Sequence, residues 1–182
     1  VVARPVWERP AGLAKDLVVV LDASASMSST DVYPDRLTAA KQAAIKALAD
    51  LPADGKVSII AAAESARVVV NEARDKERAA RAIESVEAST AASDLTEALR
   101  LAGALAARAT GAEILVVTDD AGNPTPVLAL DTPVRVIPVG QGGDNQSIAA
   151  LAVRTDPSGL ERQLFVSVAN FSDTIATRRL QI

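Results

Sequence analysis

Two short apolar runs constrain this chain more than anything else in it. Residues 17–21, within "DLVVVLD", and residues 113–118, "EILVVT", are nearly continuous apolar stretches without polar alternation. A strand with one wet face alternates, whereas a strand without alternation is buried on both faces. Each run also stops on acid: Asp22 after the first, Asp119 and Asp120 after the second. A sheet buried on both faces needs helices on both sides, and the intervening sequence supplies them.

Residues 36–51 read as a helix, with Leu37, Ala40, Ala44, Leu48 and Leu51 at spacings of three and four. Asp35 is its expected N-cap and "LPADG" its end. "KVSIIAA" and "ARVVV" are strands only a few residues apart, which predicts a hairpin. "DKERAARAIESVEA" is a helix with Ala79, Ile83 and Val86 inward, and its "RDKERAAR" portion is a solvated face. Residues 95–109 form a third helix, with Leu95, Leu99, Ala102 and Leu105 on one side. "PVLAL" is a short helix or turn, and "PVRVIPVG" another buried strand. The pattern predicts an α/β fold, a doubly wound, mostly parallel sheet flanked by helices. Such folds place ligands beyond the carboxyl ends of their strands. Asp22 and Asp119 fall there.

After Gly140 the pattern changes. "QGGDNQ" is a link, and "SIAALAVR", "RQLFVSVANFS" and "TRRLQI" read as short strands split by "DPSG" and "SD". The expected organisation is an α/β domain over residues 13–142 and a β-strand tail over 143–182. In the tail Leu164, Val166 and Val168 share one face, and Phe165, Ser167 and Ala169 the other. About 40 residues are too few for an immunoglobulin-like sandwich of ~100. The tail is therefore expected to be the start of such a domain, a partial β-sandwich whose open edges pair with a second copy. The abrupt opening "VVARPVWERP" likewise suggests a piece of a longer protein.

Composition narrows the chemistry. Among 182 residues there is no His and no Cys, and the net charge is −4. That excludes cysteine nucleophiles, Ser–His catalysis, the usual zinc sites and disulfides. It also leaves no basic field for nucleic acid. Only 2% of residues are aromatic against 49% hydrophobic, so the core is aliphatic. No apolar run reaches the ~18 residues of a membrane span.

What remains is oxygen chemistry. In "LDASASM", Asp22, Ser24 and Ser26 alternate with small alanines. In an extended turn these side chains converge, with room for an ion between them. Oxygen ligands without nitrogen or sulfur suit a hard cation, Mg²⁺, Mn²⁺ or Ca²⁺. Taken singly, each residue has a simpler reading. Ser24 and Ser26 serve as turn serines. Ser93 or Asp94 caps the third helix, Asp94 with Glu97 in a capping box. Trp7 and Tyr33, apart from these, are candidates for a binding surface, but lone aromatics are more often packing. Asp119 and Asp120 are loop residues. Their convergence at one end of one sheet favours a single site.

"VVVLDASASM" resembles the metal-ion-dependent adhesion site of von Willebrand factor type A domains, whose first motif is D-x-S-x-S after the first strand. "AASDLTEALRLA" is similar to the family's second motif, with Ser93 where a Thr is usual. "VVTDDAGN" is similar to the third, T-D-G, with Asp119 as its aspartate and Asp120 in place of the glycine. The resemblance implies direct metal contacts from Ser24, Ser26 and Ser93. It implies that Asp22 and Asp119 act through water and by orienting hydroxyls. An open coordination position would then take a carboxylate from a protein partner, with no bond made or broken. Asp120 adds a negative charge beside this site.

A narrower likeness is to bacterial membrane-anchored type A proteins of the aerotolerance (Bat) group. It rests on "ARP" near the start and on "TDVYPDRLTAAKQAA", where Asp31, Pro34, Arg36, Leu37, Ala40 and Lys41 match D-x-x-P-x-R-L-x-x-A-K. It implies a parent protein in the cytoplasmic membrane with this domain on the outer face. It also brings the family context of MoxR-type AAA+ ATPases. Two alternatives stand beside the binding module: a Mg²⁺-dependent hydrolase or phosphoryl-transfer enzyme, and a type A subunit working with a chelatase-type ATPase. A haloacid-dehalogenase-like site needs a carboxylate at position 24, where this chain has Ser, and no P-loop is present. The expectation is a non-enzymatic binding domain.

Overall fold

The computed structural model describes residues 15–91, 95–109, 111–119, 132–140, 146–155, 162–170, 175 and 177–179. The chain divides into two compact units, Val1–Gly140 and Gln141–Ile182.

The first unit holds strands β1 (Asp16–Asp22), β2 (Lys56–Ala62), β3 (Ala66–Ala73), β4 (Ala112–Thr118) and β5 (Val134–Pro138). Its helices are α1 (Arg36–Ala49), α2 (Lys76–Glu84) and α3 (Leu95–Ala106), with a 3-10 turn at Ala25–Ser28. The sheet order is β3-β2-β1-β4-β5. β1 runs parallel to β2 and β4, and β4 parallel to β5. The β2–β3 pair is the expected antiparallel hairpin. This is the doubly wound, mostly parallel α/β architecture that the two apolar runs require.

The absence of alternation in β1 has a direct cause. Leu17, Val19 and Leu21 pack with Leu37, Ala44 and Leu48 of α1 and Ile83 of α2. Val18 and Val20 pack on the other side with Ala98, Leu99 and Ala102 of α3. Each fully buried Val, Leu or Ile contributes about 1.5–3 kcal/mol. Alanines buried on α1 and α3 let the helix backbones lie close to the sheet. In α3 the inward stripe is Ala98, Leu99, Ala102 and Ala106, and the larger Leu95 and Leu105 sit half-buried at its flanks.

The helix ends are locked. Asp35 accepts from the Thr38 backbone N–H at 2.7 Å, as an N-cap should. Lys76, at the start of α2, donates to Leu51 O at 2.6 Å, just past the end of α1. Lys41 of α1 in turn donates to Glu84 O, the last residue of α2, at 2.9 Å. Each lysine thus meets the carbonyl-rich end of the other helix, where positive charge is favoured.

Three expectations change. "PVRVIPVG" is not a buried strand: β5 is an edge, and Val134 and Val136 are each 38% exposed. An edge strand has one neighbour instead of two, and Arg135 reaches sideways to Glu113 at 2.7 Å. Tyr33 is not a packing residue, being 95% exposed. Residues 177–179 of "TRRLQI" are in no strand; this charged stretch has no apolar face to bury. "PVLAL", Trp7, Ser93, Asp94 and Asp120 lie outside the described residues.

The second unit contains β6 (Gln146–Thr155) and β7 (Arg162–Asn170), an antiparallel pair. A register shift between Ile148 and Ala150 turns the strand by one residue. Ile148, Leu151 and Val153 thereby lie opposite Val168, Val166 and Leu164 on one face.

Candidate functional site

The carboxyl ends of β1 and β4 meet where the sheet order reverses. From β1 the chain runs out to β2 and β3, then returns to β4 and β5 on the other side. Leu21 pairs with Val117, so Asp22 and Thr118 sit side by side at this switch point.

Asp22 is 1% exposed and strongly oriented. Its Oδ1 accepts the Ser24 backbone N–H at 2.9 Å, and its Oδ2 accepts the Thr118 hydroxyl at 2.6 Å. A buried carboxylate requires such donors. Ser24 leads into the 3-10 turn with extended backbone, and its Oγ lies 3.0 Å from Ser26 Oγ. The two hydroxyls therefore converge. Fully buried Met27 anchors the turn from below. Backbone bonds pin the turn on two sides: Ala23 N–H to Ala62 O at 2.8 Å, and Ala25 N–H to Ala91 O at 2.9 Å. Ser89 N–H also reaches Ala23 O at 2.7 Å, so residues 89–91, just before Ser93, lie against the motif loop.

Asp119 follows Thr118 directly and its side chain is 7% exposed. Its Oδ2 accepts from Arg36 Nη1 at 2.5 Å. Two further Arg36 nitrogens grip Asp31 in a fork, Nε at 2.7 Å and Nη2 at 3.0 Å. The guanidinium is nearly buried. Asp31, and with it Asp119, raises its pKa above an already high value, against the opposing effect of burial. Gly140, at the end of β5, has φ +102°, and a Cβ there would lie 2.9 Å from Arg36 Nε. Only glycine combines that backbone with that space.

The structure thus joins Asp22, Ser24 and Ser26 in one network and brings Asp119 to the same edge, held by Arg36. Among the described residues no three Asp, Glu, His or Cys side chains form a ready metal-ligand cluster. A cation here would have to rest on serine hydroxyls as much as on carboxylates. The donor set is oxygen only, which fits a hard divalent ion.

The sequence profile of the von Willebrand factor type A domain matches residues 17–122. The chain belongs to that family. The matched span holds the motif loop, Arg36 and Asp119 together. Among solved structures, this type A domain is similar to the conserved hypothetical protein BatB from Bacteroides thetaiotaomicron. The two share 24% identity over 87% of this chain and 81% of that one, with a TM-score of 0.61. An aerotolerance-related membrane protein from Bacteroides fragilis matches equally, at 24% identity, 87% and 82% coverage and TM-score 0.61. The three N-terminal domains of a type V pili tip protein from Porphyromonas gingivalis match at 17% identity over 57% of this chain and 19% of that one, TM-score 0.50. At these identities the likeness concerns the fold. No curated protein gives a match.

Reading the sequence missed two parts of this type A site. Thr118 was visible only as the residue before an aspartate. Arg36 and Asp31 were visible only as letters of a family pattern, and their five-residue separation was the available hint.

Proposed function

We propose that this type A domain is a protein-binding module that takes one divalent cation, Mg²⁺ or else Mn²⁺ or Ca²⁺. Ser24, Ser26 and Ser93 hold it, and Asp22 and Asp119 support from behind. The cation's open position recruits an acidic residue of a protein partner. Type A domains as a class are protein-interaction modules, and the finer reading rests on one observation above others. Asp22 is fixed by two hydrogen bonds at the switch point while the Ser24 and Ser26 hydroxyls converge 3.0 Å apart in front of it. Neutral hydroxyls as direct ligands leave a cation short of negative charge, so a partner carboxylate is attracted.

The parent protein is proposed to be membrane-anchored with this domain on the outer face. One relative of similar fold is named as a membrane protein. Among the described residues no helix is long and apolar enough to cross a membrane. A MoxR-type AAA+ ATPase is a proposed partner on family grounds. No catalytic role is proposed.

Titration with MgCl₂ tests the site. A ligand that binds only the folded state stabilises by about 2.7 kcal/mol at a hundredfold excess over Kd. The melting temperature of the wild type should therefore climb with Mg²⁺ and fall back with EDTA. The double variant Asp22→Ala, Ser26→Ala should lose that response. A variant that responds like the wild type would sink the site as drawn. In the same samples phosphate-ester turnover should stay at background, and turnover abolished by Asp119→Asn would replace binding with catalysis.

A further inference from the structure

A nearly buried arginine in the wall of a site offered to a cation needs a reason. Helix stability does not supply one. Arg36 is the first residue of α1, where positive charge opposes the helix dipole. Nor is the residue merely filling space, because all three of its outer nitrogens are committed. Nε and Nη2 take Asp31, and Nη1 takes Asp119. The surrounding backbone makes room for it as well, through the positive φ and missing side chain of Gly140. Arginine stays charged at any working pH, so this counter-charge is permanent.

Consider the charges at this edge of the sheet. Among the described residues, Asp22, Asp119 and Asp31 carry three formal negative charges, and Arg36 returns one positive charge. Asp119 is the carboxylate that Arg36 shares with the proposed cation site. A guanidinium on that carboxylate and a divalent ion beside it repel each other and compete for the same negative charge. The fork onto Asp31 restrains this competition, since Asp31 holds Arg36 by two bonds while Asp119 receives one.

We propose that Arg36 is a positioning residue for the metal site, a resident counter-charge that holds Asp119 in place and sets cation affinity at a moderate level. Asp31 is the second half of the device, because it draws part of the guanidinium's charge away from Asp119. The inference rests on the metal reading above. It predicts opposite effects for two substitutions neither of which touches the hydroxyl ligands. Arg36→Gln removes the positive charge and keeps a planar hydrogen-bonding head. Mg²⁺ should then bind about fivefold or more tightly. Asp31→Asn takes one carboxylate away from Arg36 and turns its charge more fully onto Asp119, and Mg²⁺ should bind more weakly than in the wild type. Arg36→Lys keeps the charge but loses the fork onto Asp31, so Mg²⁺ should bind no more tightly than to the wild type while stability falls.

Calorimetric titration with MgCl₂, paired with melting curves in EDTA and in saturating Mg²⁺, reads these outcomes apart. Arg36→Gln should melt below the wild type in EDTA and recover more of the deficit in Mg²⁺ than the wild type gains. A role in fold alone would lower both melting points equally and leave affinity unmoved, and that result overturns the counter-charge. So does unchanged or weaker binding in Arg36→Gln. If Arg36→Gln does not fold, Asp31→Asn decides, with unchanged or tighter binding counting against the proposal. A wild type that ignores Mg²⁺, Mn²⁺ and Ca²⁺ alike overturns the metal reading itself and the affinity role with it.

Discussion

Thr118 is a single hydroxyl on which the geometry of the site depends. It is fully buried at the end of β4, and it donates to Asp22 Oδ2 across 96 positions of sequence. Thr118→Val keeps the shape and removes the donor from a buried carboxylate. A hydrogen bond to a charged group is worth about 1.5–3 kcal/mol. Urea denaturation should show a loss of that order, and Thr118→Ser should restore most of it. An undiminished midpoint for the valine variant would mean that Asp22 is oriented by its other contacts. The contacts legible in the sequence were those whose partners are close by. Asp22, Ser24 and Ser26 occupy five consecutive positions, so their spacing alone brought them together. Arg36 meets Asp119 across 83 positions, and Thr118 meets Asp22 across 96, so only the register of β1 against β4 reveals those pairs.

Elements were legible to the extent that their signal is periodic. α1 was read within two residues at its end, because five apolar positions and an aspartate cap agree on one answer. The β2–β3 hairpin followed from the short gap between two strands. β5 was misread because an apolar run looks the same at the centre of a sheet and at its edge; what differs is the number of neighbouring strands. α1 also connects element to site, since Asp35 caps the helix and Arg36 follows it. Asp35→Ala removes the acceptor for the Thr38 N–H and for the Thr38 hydroxyl, at 2.7 and 3.0 Å. The expected loss is about 1 kcal/mol by thermal or urea melting. If the first turn of α1 also positions Arg36, that variant should bind Mg²⁺ with altered affinity as well. A stability loss with unchanged affinity would confine the cap to the helix.

On the scale of the whole chain, the type A unit and the β6–β7 pair pose different physical problems. The first buries its apolar residues among three layers. In the second, Ile148, Leu151, Val153 and Val168 stand 54–63% exposed on one face, with Leu164 less so and Val166 half-buried beside them. Among the described residues the charge on that face is confined to Arg162 at its end, opposite Thr155. A two-stranded pair alone is marginal in water, and its outer edges offer unpaired backbone groups. Two such faces packed against each other, about 10 Å apart, would make the core of a small sandwich. A mostly apolar face offers little for a charged partner to match but suits an identical copy. The expected state of the full chain is therefore a dimer or larger assembly at micromolar concentration, measured by light scattering. Leu151→Lys, placed in the middle of the face, should return it to a monomer while the Mg²⁺ response of the type A unit persists. A version ending at Gly142 should be monomeric for the same reason. If the full chain is already monomeric, the face is covered by another part of the same chain, and self-association through the tail is wrong. If Leu151→Lys leaves an assembly intact, the copies meet through some other surface.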